Sequence, residues 1–127
     1  MLTTDARRYI VEFTTSVIDA IKELHATVSL AHLDIRLDNI CFKNDCAVLI
    51  DFDRSCALHE SARYLVSKWG ESAMYMPPSQ DWTVERVDWR QLGIMVLALL
   101  NDTSEKSYHS EPTNSQHPFF HKLVKEG

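Results

Sequence analysis

Glycine is scarce in this sequence, three in 127 residues, and basic side chains are outnumbered, 13 Lys and Arg against 18 Asp and Glu for a formal net charge of -5. That balance excludes the broad basic surface selected by nucleic acids and anionic membranes, so neither is expected as a partner. Cysteine is limited to Cys41, Cys46 and Cys56. An odd, sparse set in a chain of ordinary size argues against a secreted disulfide framework and for a reducing compartment. The most apolar run, "LGIMVLALL", is too short to span a bilayer, and the first residues, with Asp5, Arg7 and Arg8, lack the pattern of a secretory signal. These absences predict a soluble, intracellular, cytoplasmic protein. Internal repeats and low-complexity tracts are missing too, which leaves one unit spanning 1–127 as the expected organisation.

A chain of this size can bury roughly two-thirds of its unfolded surface, enough for a true core. The three-and-four spacing of Ile10, Phe13, Val17, Ile21 and Leu24 predicts a long amphipathic helix over 5–27, capped by Asp5. Two short apolar runs, "ICF" and "AVLI", flank "KNDC", whose Asn and Asp suit a turn, so a small hairpin is expected. Residues 54–79 read as a long functional loop closing on Pro77 and Pro78. A helix over 83–100, apolar nearly all round toward its end, is expected to be buried on most sides. A polar link, 101–116, then leads to a short C-terminal element at 117–127, which carries "PFF". The fold class this predicts is mainly α with a small β-hairpin. Trp69, Trp82 and Trp89 read as packing anchors.

The informative stretch is "AHLDIRLDNICFKNDCAVLIDFDRS". Asp34, then Asn39 just before one strand, then Asp51 just after the other, put three oxygen-bearing side chains at one end of the hairpin. Such oxygens suit a hard cation such as magnesium, and a carboxylate left free of metal can accept a proton from an attacking hydroxyl. Phosphoryl transfer needs both. A zinc site from Cys41, Cys46, His117 and His121 is a weaker reading, since the pairs are far apart in sequence and Cys41, in an apolar strand, is expected to behave as a small hydrophobe.

"HLDIRLDN" resembles the catalytic loop of the protein kinase family and "IDFDRS" its metal-binding Asp-Phe-Gly segment. Downstream, "MYMPPSQ" resembles the Ala-Pro-Glu end of the activation segment, and "DWRQLG" the Asp that opens the buried central helix. Four motifs in the family's order are more specific than any one. The resemblance runs from about residue 5 to residue 100 and implies the C-terminal lobe of a kinase, with a catalytic loop at 32–39, a metal segment at 51–53, an activation segment at 54–79 and a central helix at 83–100. It implies that Asp34 is the base for the substrate hydroxyl and that Arg36 neutralises the transferred phosphate. Asn39 and Asp51 would hold magnesium and, through it, ATP, and His32 and Asp88 would support the site. The implied reaction is transfer of the terminal phosphate of ATP to a Ser or Thr hydroxyl of a protein substrate.

Departures accompany the matches. Leu33 stands where the family has an Arg that reads a phosphorylated activation segment, Asp53 where it has Gly, and Ser79 where it has Glu. No GxGxxG occurs, and nothing in the chain corresponds to the upper lobe with its phosphate-gripping Lys and partner Glu. The expectation is therefore weak or incomplete activity in this chain alone, with a cleft floor around Ile40 to Phe42 and Ile50 exposed and available to self-association or a partner chain. A catalytically inactive, pseudokinase-like binding module is the alternative, and a small-molecule kinase of the aminoglycoside or choline type is a further one, since those also follow the metal Asp with an acidic residue.

Overall fold

The computed structural model describes residues 2–61, 63 and 82–101. Most of the segment expected at 54–79, with Trp69, Pro77, Pro78 and Ser79, nearly all of the polar link and the element at 117–127 lie outside the described residues. Among those described, the chain forms a small mixed α/β protein with two long helices and two small antiparallel sheets. None of their helices is long and apolar enough to cross a membrane.

Helix α1 spans Thr4–Glu23 and buries Ile10, Phe13, Val17 and Ile21 along one face, as the spacing dictates. Its cap is Thr3, whose hydroxyl oxygen accepts the Ala6 N–H at 3.0 Å. Asp5, the expected cap, instead lies in the first turn, where its carboxylate complements the helix dipole, 3.9 Å from Arg8. A hydroxyl two residues earlier meets the free amide as well as a carboxylate does, so the helix starts sooner than the charge suggests. Beyond Glu23 the helix widens into a π turn, Leu24–Val28, ended by Ser29 in a left-handed conformation at φ 58°. That turn turns both Leu24 and His25 inward.

The expected hairpin is present and slightly longer: β2, Ile40–Lys43, pairs antiparallel with β3, Cys46–Leu49, in the register Ile40 with Leu49 and Phe42 with Ala47. Its two-residue loop has φ of 53° at Asn44 and 62° at Asp45, the doubly left-handed geometry that matches the strands' twist. The inner face carries Ile40, Ala47 and Leu49 against the main core, and Phe42 stacks on Phe13 at 5.3 Å between centroids. Side chains alternate across a strand, so Cys41 and Cys46 fall on the outer face and are exposed. This overturns the expectation of a thiol packed as a small hydrophobe. A two-stranded ribbon is marginal alone; here α1 also supports it through Ser16 Oγ, which accepts the Ala47 N–H at 2.7 Å. Because Asp tolerates positive φ less readily than Gly, Asp45→Gly is expected to stabilise the protein by up to about 1 kcal/mol, raising the melting temperature by about 3 °C. An unchanged or lower melt would contradict this account of the turn.

A second sheet, not anticipated from sequence, pairs β1, Leu30–Ala31, with β4, Cys56–Ala57. Two-residue strands carry too little alternation to be read in advance. Helix α2, Val84–Leu100, starts at Thr83, whose hydroxyl accepts the Arg86 N–H at 3.4 Å, and every residue from Val87 to Ala98 is buried. One core joins Phe13, Val17 and Ile21 of α1 to Trp89, Leu92, Met95 and Val96 of α2, with Ile35 between them. A smaller one gathers Ala31, Leu33, Cys56, Val84 and Val87. Trp89 meets His25 edge-on at 5.7 Å, and Trp82 packs against the smaller core with the Arg86 guanidinium 4.0 Å above its ring. Arg90 is also buried; its Nε has no hydrogen-bond partner among the described residues, and desolvation draws its pKa below the ordinary arginine value.

Candidate functional site

The segment from His32 to Asn39 is anchored by its apolar members. Leu33 enters the smaller core and Ile35 the main one, so Asp34 is held between two buried neighbours while remaining half-buried itself. Burying a backbone that is neither helix nor strand leaves its polar groups to be met by side chains. They are met by α2. Asp88, wholly buried, accepts from the N–H groups of His32 (Oδ2, 2.9 Å) and Leu33 (Oδ1, 2.7 Å). His25 Nε2 donates to the same Oδ2 at 2.8 Å. One turn along, Gln91 Oε1 accepts the Ile35 N–H at 2.8 Å while its Nε2 donates to the Leu33 carbonyl at 3.0 Å. These bonds hold Leu33 at φ 70°, a left-handed conformation that costs a branched residue about 1–2 kcal/mol.

His32 joins the two halves of the site. Its Nδ1 accepts the Asp34 N–H at 3.1 Å, so Nε2 carries the hydrogen and donates to the Ile50 carbonyl at 2.8 Å. The peptide ahead of Asp34 and the peptide ahead of Asp51 are thus fixed by one imidazole. Phe52 packs edge-on against that ring at 4.9 Å. Asn39, at the end of a single 3-10 turn, Leu37–Asn39, is buried. Its Nδ2 donates to both the carbonyl and Oδ2 of Asp34, each at 2.9 Å. Its own carbonyl accepts the Ile50 N–H at 2.9 Å. Asp51 is exposed, at φ 61°, and its Oδ1 lies 3.3 Å from the Asp53 N–H. Arg36 is half-buried, with Nη2 3.6 Å from Asp38 and a buried Nε that has no hydrogen-bond partner among the described residues.

The structure therefore brings Asp34, Asn39, His32 and Asp88 into one hydrogen-bonded network and ties the chain leading into Asp51 to it. The Arg36 carbonyl accepts the Asn39 N–H at 2.9 Å, while its guanidinium faces Asp38. Two members were missed from sequence. His25 falls near the end of the helix expected over 5–27 and belongs to no motif, yet it continues the α1 stripe four residues after Ile21. Gln91 lies three residues after Asp88 on α2, and that i,i+3 spacing, which puts the two on one face, was the available signal. The outer face of the hairpin exposes Val48, and Phe42, Ile50 and Phe52 are also exposed nearby. No group of three or more His, Cys, Asp or Glu side chains able to hold a metal occurs among the described residues. Cys41 and Cys46 thus form no such cluster there, and His117 and His121 lie outside the described residues.

Set against protein-family models, curated proteins and solved structures, the chain matches none.

Proposed function

We propose that this chain is a protein-kinase-like C-terminal lobe and that its chemistry is phosphoryl transfer from ATP to a Ser or Thr hydroxyl of a protein. The observation that carries the reading is the His32 bridge: one ring orders the chain at both Asp34 and Asp51, the two carboxylates that such a reaction uses for different tasks. Asp34 accepts the hydroxyl proton as the new O–P bond forms and the bond from the terminal phosphorus to the departing ADP oxygen breaks. Asn39 aims the carboxylate by donating to Oδ2, which leaves Oδ1 for the incoming hydroxyl.

The donor set fits magnesium. Asn39 spends its amide N–H on Asp34, so its oxygen remains for a cation, and Asp51 adds an exposed carboxylate. One carboxylate and one amide oxygen, completed by phosphate oxygens and water, is the shell this ion prefers over an all-protein cage. When bound, magnesium neutralises phosphate charge. Arg36 supplies a fixed positive charge near Asp34 once phosphate competes with Asp38 for its guanidinium.

The binding-module alternative rests on Asp53 and Ser79, which stand where the family has Gly and Glu. Thermal melts of the purified chain with ATP, magnesium or both test the site. The expected result is a rise only with both, corresponding to about 2.7 kcal/mol at one hundred times the Kd, and lost in Asp51→Ala. Absence of any shift at millimolar nucleotide would remove the reading.

A further inference from the structure

Resting on that reading, we infer that Gln91 is the positioning residue of the proposed base. The carbonyl of Leu33 belongs to the peptide before Asp34 and the N–H of Ile35 to the peptide after it. One amide side chain bonds to both, at 3.0 and 2.8 Å. Gln91 is 2 % exposed and projects from a helix whose neighbouring turns are packed in the cores. It therefore holds both peptide planes about the Asp34 Cα, the first together with His32 through the Asp34 N–H and the second together with Asn39 through the Asp34 carbonyl, and with them the direction of the Asp34 side chain. Asp88 acts elsewhere: its bonds go to the N–H groups of His32 and Leu33, upstream of the peptides that Gln91 grips. Asn39 grips the carboxylate and its carbonyl. Among these contacts, the single-handed clamp across Asp34 belongs to Gln91 alone.

A group that positions a base without touching nucleotide should alter turnover more than binding. Misplacement of about 1 Å suffices for roughly a hundredfold loss. Gln91→Met keeps length and apolar contacts and removes both hydrogen bonds. Gln91→Glu restores an acceptor for the Ile35 N–H but, ionised, has no donor for the Leu33 carbonyl. The test measures kcat and KM for ATP with casein as phosphate acceptor, and the melting shift with magnesium and ATP, for the wild type, both Gln91 variants and Asp34→Asn. The expected result is a kcat about 100-fold lower in Gln91→Met, with KM for ATP within about twofold and the melting shift kept, and partial recovery in Gln91→Glu. A folded Gln91→Met with wild-type kcat overturns the positioning role, as does a parallel fall of kcat and melting shift, which marks general loosening. If Gln91→Met does not fold, Gln91→Glu decides: reduced kcat with an intact shift supports the role, and full activity overturns it. A wild type without Asp34-dependent turnover overturns the enzymatic reading itself, and the role of Gln91 with it.

Discussion

Asp88→Ala is expected to be the most damaging single substitution in this protein, costing about 3–5 kcal/mol, the range for breaking a buried charged contact from one side. Its carboxylate accepts from two backbone N–H groups and from His25, all in the interior. Removing it leaves three donors without water or partner, each carrying a desolvation penalty of roughly 1–3 kcal/mol. It also releases the bond that holds Leu33 left-handed. Against a total stability of order 5–15 kcal/mol, the variant should be marginal at room temperature. In urea, with a slope near 2 kcal/mol/M, the midpoint should fall by about 2 M. Asp88→Asn, which keeps one acceptor oxygen, should fall by less. A loss under about 1 kcal/mol in the alanine variant would mean that water or a rearranged loop replaces the carboxylate, and that the network is not held from α2.

The largest effect on activity is expected from Asp34→Asn. The substitution preserves shape and an oxygen for Asn39 to bond, so folding and the melting shift with magnesium and ATP should survive. What disappears is the capacity to take a proton, and turnover should drop by about 10²–10⁴, the usual contribution of a positioned general base. Radiolabelled transfer to casein, read alongside the melting shift, separates the possibilities. Turnover within tenfold of wild type would remove Asp34 from the proposed role. A nucleotide shift in a wild type without any transfer would favour the binding module.

Much of the scaffold could be read in advance where the pattern was long. Ile10, Phe13, Val17 and Ile21 announce α1 because about three turns of regular spacing outweigh local ambiguity. "VERVDWRQLGIMVLALL" announces a buried helix in the same way. Local chemistry was less legible. Asp5 looked like the cap because its carboxylate is the stronger acceptor, yet Thr3 has the right distance to a free N–H. Cys41 looked internal from its apolar neighbours, although two-residue alternation places it opposite Ile40 and Phe42.

Within the site, Asp34, Asn39 and Asp51 stood out by type and spacing. Their supports did not. Nothing about Leu33 as a residue suggests a positive φ; that conformation is imposed by Asp88 and Gln91, 55 and 58 residues away in sequence. The roles of His25 and Gln91 are likewise properties of a tertiary meeting, and neither side chain carries them by its identity. Leu30–Ala31 and Cys56–Ala57 pair across a gap about half as long, too briefly to leave a sequence pattern.

The span between the loop and Asp88 has a consequence for how the molecule assembles. The bonds that define Leu33 and Ile35 close chain separations of 55 and 56 residues, so they form only after a long ring of polypeptide has come together. Ring closure costs configurational entropy that grows logarithmically, by about 0.6 kcal/mol for each doubling. Lengthening the intervening stretch is therefore cheap for equilibrium stability. Losing the far anchor is not, because the early half of the chain has no local means to hold Leu33 where it sits. The proposed base consequently acquires its geometry only once α2 has docked, and a nascent chain ending before residue 84 carries all three oxygen-bearing residues but not their arrangement.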